Sequence, residues 1–220
     1  MTTDTEAAPL YRVSVLATGF TRMWRAWRVL IPVVIVNALL QGLLLLPGAL
    51  PYLSVAFVLV ALLSFVVLVA SFGIVAAAML QAVEGPVSVV ATADTLRARA
   101  LPLLVWSLGL ALIVTVGFAL YLIPGLALLA LTPYLLLAVE DGQRNPLAVN
   151  FRTIGARWGR WLVTVAIMGA ICFAMWFLSA LDGFFVTGAP GAIIAWLVLG
   201  LVASWFTCAW ALVYRSVNLR

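Results

Sequence analysis

The sequence predicts an all-α protein built as a polytopic membrane bundle: six transmembrane helices in three hairpins, each hairpin preceded by an interfacial segment. Three observations predict it. Hydrophobic residues make up 66% of the chain and charged residues 9%, and mean hydropathy is +1.24, against about a quarter charged in soluble domains. The apolar residues fall into runs of roughly 20, the length that crosses about 30 Å of hydrocarbon as a helix. All twelve arginines lie in alternate connections.

The first 28 residues are read as an interfacial segment. Val13, Leu16, Phe20, Trp24 and Trp27 recur at three- and four-residue intervals, with arginines at other positions, the pattern of a helix lying in the membrane interface. "MTTDTEAAPLYRVSVLATGF" is too long and polar for a signal-peptide start, and no A-x-A cleavage pattern follows the first apolar run, so that run is expected to be retained. Crossings follow at 29–49, 53–82, 101–121, 123–139, 161–181 and 190–213, residues 214–220 form a cytoplasmic tail, and the whole of 1–220 is read as a single integral membrane domain. "LPGALPY", "YLIPG" and "LDGFFVTGAPG" supply glycine and proline for tight reversals. In the fourth crossing Pro133 has no N–H for the carbonyl of Leu129, which predicts a kink.

Arginine fixes the expected orientation. Arg12, Arg22, Arg25 and Arg28 precede the first crossing, Arg97 and Arg99 lie between the second and third, Arg144, Arg152, Arg157 and Arg160 between the fourth and fifth, and Arg215 and Arg220 at the end. The other face has none. Under the positive-inside rule both termini and both long loops are cytoplasmic. Trp24, Trp27, Trp158 and Trp161 sit at the same boundary, as anchoring indoles do.

The connections repeat. "QAVEGPVSVVATADTLRARALP" and "LAVEDGQRNPLAVNFRTIGARWGRW" each give Ala-Val-Glu, a turn, a proline and an arginine eleven residues on, Arg97 after Pro86 and Arg157 after Pro146. The amino-terminal Arg25-Ala-Trp-Arg28-Val-Leu parallels Arg157-Trp-Gly-Arg160-Trp-Leu. Glu84 and Glu140 close their helices where the macrodipole disfavours an acid. Glu140 is expected to pair with Arg152, Arg157 or Arg160, and Glu84 with Arg97 or Arg99.

Chemistry is sparse. The chain has no histidine, Glu140 and Asp141 project about 100° apart on a helix end, and no ionisable residue is expected at depth. Asp182 falls at the outer boundary. Cys172 and Cys208 read as small hydrophobes at different depths, with neither a metal site nor a disulfide indicated. Neither an enzyme nor a cofactor is expected, and basic residues spread over short segments do not form a nucleic-acid face. Asn37 and Gln41 lie one turn apart in the first crossing, placed for an interhelical contact or for a cavity lining.

The stretch "YLIPGLALLALTPYLLLAVEDGQRNPLAVNFRTIGARWGRW" resembles the glycerophosphoryl diester phosphodiesterase membrane-domain family and its six-helix bacterial relatives. Pro124, Gly125, Pro133 and Glu140 carry the likeness, with Leu147, Arg152, Thr153, Gly159, Arg160 and Trp161 counted from Pro146. Ala148, Phe151, Ile154 and Gly155 depart from the pattern. The resemblance implies a bacterial cytoplasmic-membrane protein without the catalytic barrel, and no phosphodiesterase chemistry. The function expected is binding of anionic lipid head groups or of a partner membrane protein through Arg25, Arg28, Arg97, Arg99, Arg152, Arg157 and Arg160, with a permease for apolar or zwitterionic cargo as the alternative.

Overall fold

A computed structural model describes residues 14–46, 50–51, 53–182 and 188–218. Arg12, Val13 and Arg220, parts of the first and third outer turns, and the side chain of Asp182 lie outside the described residues. Among these, every regular element is helical. Six helical stretches among the described residues are long and apolar enough to cross a bilayer, and the chain is a multi-pass membrane protein.

The amino-terminal segment is a helix, α1 (Ser14–Met23), joined by a 3-10 turn over Trp24–Ala26 to α2 (Trp27–Leu43). Its Phe20–Trp24–Trp27 stripe is not the face that packs on the bundle. Leu16, Met23 and Ala26 are the buried positions, whereas Phe20, Trp24 and Trp27 face outward. Small residues decide this. Gly19 sits so close to Ala209 that an added Cβ would lie 3.1 Å from its backbone, and the Trp205 indole donates to the Leu16 carbonyl at 2.7 Å. Burial of a shape-matched face outweighs exposure of three aromatics that lipid accommodates equally well.

The second crossing, α3 (Val55–Glu84), begins at a Ser54 cap that accepts from the Phe57 N–H. Next comes α4 (Val89–Leu120), where the expected separate interfacial segment is absent. Ser88 caps it by accepting from Ala91, and "TADTLRARALPLLVW" continues through Pro102 as one helix of 32 residues, about 48 Å long at 1.5 Å per residue. A proline removes one backbone bond and crowds the preceding turn, and here the uninterrupted helix formers on both sides of it prevail. At the end of α4 a single extended residue, Tyr121, reverses the chain. The Phe118 ring lies against Gly125, where a Cβ would meet it at 2.4 Å.

The fourth crossing breaks where Pro133 predicts, into α5 (Leu122–Leu131) and α6 (Leu135–Glu140). In lipid every freed backbone group needs a partner, and side chains supply them. Asn150, fully buried, donates to Leu131 O at 2.8 Å and accepts from Tyr134 N at 3.0 Å. The Trp161 indole donates to Ala130 O at 2.8 Å, and the Thr132 hydroxyl to Leu128 O at 2.8 Å. Asn150 comes from α7 (Pro146–Ala156), a true short helix with proline at its start and an Asn145 cap that accepts from Ala148.

The last hairpin is α8 (Trp158–Asp182) and α9 (Gly188–Asn218). α9 packs on α1, α2, α3 and α7. Val34 of α2 seats against Gly200, and Ile193 against Gly42. α8 attaches more lightly, through Met168 packed with Leu16 and Ala209.

Asn150→Leu should strand Leu131 O and Tyr134 N inside the bundle, each costing about 1–3 kcal/mol. A lowered midpoint of thermal unfolding in mild detergent is expected, and an unchanged midpoint would show that the Pro133 break does not depend on Asn150.

Candidate functional site

The candidate site is the arginine-bearing end of the bundle, where α3, α6 and α9 terminate and α1 and α7 cross them. Each helix arriving there leaves carbonyls unpaired. α6 closes by a Schellman turn: Gly142, at φ +76°, and Gln143 send their N–H groups to Val139 O and Ala138 O at 3.0 and 2.9 Å. The positive φ makes glycine the fitting residue there. α3 closes differently, because its last carbonyls accept from guanidinium groups: Arg22 Nη1 reaches Val83 O at 2.7 Å and Arg25 Nη1 reaches Ala82 O at 3.3 Å. Cations are favoured at that end of the dipole.

Arg215 joins the two terminations. Its Nη1 donates to Asp141 Oδ1 at 2.7 Å, with both side chains 15% exposed. Its Nε lies 2.8 Å from Glu84 Oε1 without the alignment of a hydrogen bond, so that contact is an ion pair alone. The Tyr214 hydroxyl and the Gln143 amide both donate to Asp141 Oδ2 at 2.8 Å. Asp141 therefore accepts from three side chains.

This corrects both expected pairings. Glu84 is paired, but with Arg215 from α9 and not with Arg97 or Arg99. Arg97 is exposed. Arg99 is half-buried and lies across Gly142, where an added Cβ would come within 2.1 Å of its Nη2. Glu140 meets none of Arg152, Arg157 and Arg160: the residue is 3% exposed and both carboxylate oxygens lack a hydrogen-bond partner. The charge that acts on it is that of Arg99. The mismatch has a geometric origin, since adjacent residues at a helix end diverge by about 100°. Asp141 turns to α9 and Glu140 turns between α3 and α4, close to Gly73.

The other predicted residues scatter over this end. Arg152 is exposed and donates to the Asn218 amide oxygen, while Asn218 donates to Thr153 at 3.0 Å, tying α7 to the end of α9. Arg157 ends α7, and Arg160 lies in the first turn of α8, both half-buried. Arg28 lies over the Trp27 ring at 5.5 Å. Asn37 and Gln41 are not at this end: they bond α2 to α3, Asn37 with the Ser71 hydroxyl at 3.5 Å, and Gln41 with the Ser64 hydroxyl at 2.8 Å and carbonyl at 3.3 Å. Both amides are buried. Cys172 and Cys208 are free thiols.

Sequence reasoning treated Arg215 and Arg22 only as topology markers and missed Tyr214 and Asn150. A legible signal existed for Arg215 alone: a Tyr-Arg pair in the last turns of a long apolar helix. Comparison with protein-family models, with curated proteins and with solved structures gives no match.

Arg215→Gln should release both carboxylates. Glu84 is 45% exposed, so its share is at most about 1 kcal/mol, and the less exposed, hydrogen-bonded Asp141 should carry about 1.5–3 kcal/mol. In a double-mutant cycle with Asp141→Asn, unfolding in mild detergent should show strong coupling, and additive effects would exclude a working pair. Tyr214→Phe should cost about 1 kcal/mol by the same measurement.

Proposed function

We propose that this is a non-enzymatic protein of the bacterial cytoplasmic membrane that binds anionic lipid head groups at its cytoplasmic, arginine-bearing end. One observation carries the proposal: Glu84 and Asp141 are both taken by Arg215 and Glu140 is buried, while most of the other arginines at this end meet no carboxylate. Both ion pairs among the described residues employ Arg215, leaving Arg25, Arg28, Arg97, Arg144 and Arg152 exposed with no carboxylate against them. Phe20, Trp24, Trp27, Leu147, Phe151 and Trp158 are exposed beside them, a mixture suited to a surface half apolar and half anionic.

The motif that resembles the glycerophosphoryl diester phosphodiesterase membrane domain supports a barrel-less relative of that family. Pro133 and Trp161 have structural tasks at the α5–α6 break, and Thr153 one between α7 and the end of α9. Transport through the α2–α3 seam gains no support, because Asn37 and Gln41 bond to Ser71 and Ser64.

Each arginine near an anionic surface contributes about 1 kcal/mol, so replacing Arg28, Arg97 and Arg152 by Gln should weaken binding roughly 100-fold. Native mass spectra of the protein released from mild detergent should show phosphatidylglycerol retained by the wild type and lost by this variant, with phosphatidylcholine indifferent. Equal retention would reject the proposal. Loss of a co-purifying protein instead of lipid would replace it with partner binding.

A further inference from the structure

A cavity of about 250 Å³ opens on the side of the bundle between α3, α4 and the broken α5–α6 helix. Leu68 and Phe72 line one wall, Leu110 and Ala111 a second, and Leu129 the third, with Ser107 contributing a hydroxyl. The lining is otherwise apolar, and apolar cavities of about 150 Å³ accept apolar guests. Its walls belong to three of the membrane-crossing stretches, so the medium at its mouth is hydrocarbon. The break at Pro133 gives the third wall its shape, because α5 ends at Leu131 and α6 begins at Leu135.

Towards the arginine-bearing end, beyond the groove lining, α4 carries Arg99, a cation without an ion pair among the described residues. Arg99, Leu103 and Leu110 recur at intervals of four and seven, placing them on one stripe of α4, with Arg99 about 12 Å above Ser107 at 1.5 Å per residue. Arg99 is half-buried with its guanidinium lying across Gly142, and it forms no ion pair among the described residues; a guanidinium has five N–H donors, more than that packing can occupy. Glu140 offsets part of its charge but is sealed beside Gly73, Leu96 and Leu103 and accepts nothing from it. We propose that the groove holds one acyl chain of a bilayer phospholipid whose anionic phosphate lies on Arg99.

The site lies inside the bilayer and apart from the exposed arginines invoked for surface binding, so the two fail separately. The test uses the full chain in nanodiscs of phosphatidylcholine and phosphatidylglycerol, the latter carrying a photoactivatable diazirine near the chain end. Crosslinks are mapped by mass spectrometry. Enrichment on α4 and α5 peptides around Leu110 and Leu129, over other lipid-facing segments, is expected. Ala111→Phe, which fills the void, should reduce labelling there to the level of bulk lipid, and Ala111→Leu should lower it less. Arg99→Gln should reduce labelling by phosphatidylglycerol about fivefold, while a diazirine-bearing diacylglycerol is unaffected. These results should persist when Arg28, Arg97 and Arg152 are neutralised. Uniform labelling, or labelling unchanged in both Ala111 variants, would overturn the proposal, and equal loss of both probes in Arg99→Gln would remove the phosphate contact.

Discussion

Arg215 sits where two hairpins and the final helix would otherwise part. α3 and α6 each end in an acid, Glu84 or Asp141 just beyond Glu140, at the pole of the macrodipole where negative charge is unfavourable. One guanidinium from α9 meets both acids, and its planar fork suits this better than an ammonium would. With Tyr214 and Gln143 also donating to Asp141, that carboxylate is held by three side chains, while the Arg215 Nε meets Glu84 as an ion pair alone. Lipid supplies little drive for apolar helices to adhere to each other. Polar clasps at the ends therefore carry more weight in choosing which helices are neighbours, and α9 becomes the helix that α1, α2, α3 and α7 all touch.

The same demand for internal satisfaction explains the least regular part of the chain. Pro133 splits one crossing, and the freed groups at Ala130, Leu131 and Tyr134 are taken up by Trp161 and Asn150. Irregular backbone at membrane depth is tolerated only when protein covers it. The position of α7 follows from this: it is held over the break by Asn150 and tied to the end of α9 through Thr153, Asn218 and Arg152. The break also leaves the lateral cavity beside Leu129. The break and the cavity beside it thus both lie at a proline placed mid-crossing.

The three copies of the loop pattern are less alike in space than in sequence. In the first, the segment docks on α9; in the second it merges into α4; in the third it forms α7. Ala-Val-Glu ends both α3 and α6, yet the carbonyls of Ala82 and Val83 accept from arginines, whereas those of Ala138 and Val139 accept from the backbone of a Schellman turn. The turn residue makes the difference. Gly142 adopts positive φ, and Gly85 at φ −178° is extended.

What the sequence determined by itself is everything that depends on periodicity and transfer energy: the membrane class, six crossings, the hairpin turns, the Pro133 break and the gathering of arginine at one end. These are local or additive properties, legible because apolar length and charge act without knowing their neighbours. The tertiary structure decided which acid meets which base, which face of α1 is buried, and what Asn37 and Gln41 hold. Glu84 and Arg215 are more than a hundred residues apart, and no spacing rule connects residues on helices whose adjacency is itself set by packing. Gly19 against Ala209 chose the buried side of α1 over its more hydrophobic stripe, since in lipid close fit counts for more than hydrophobicity.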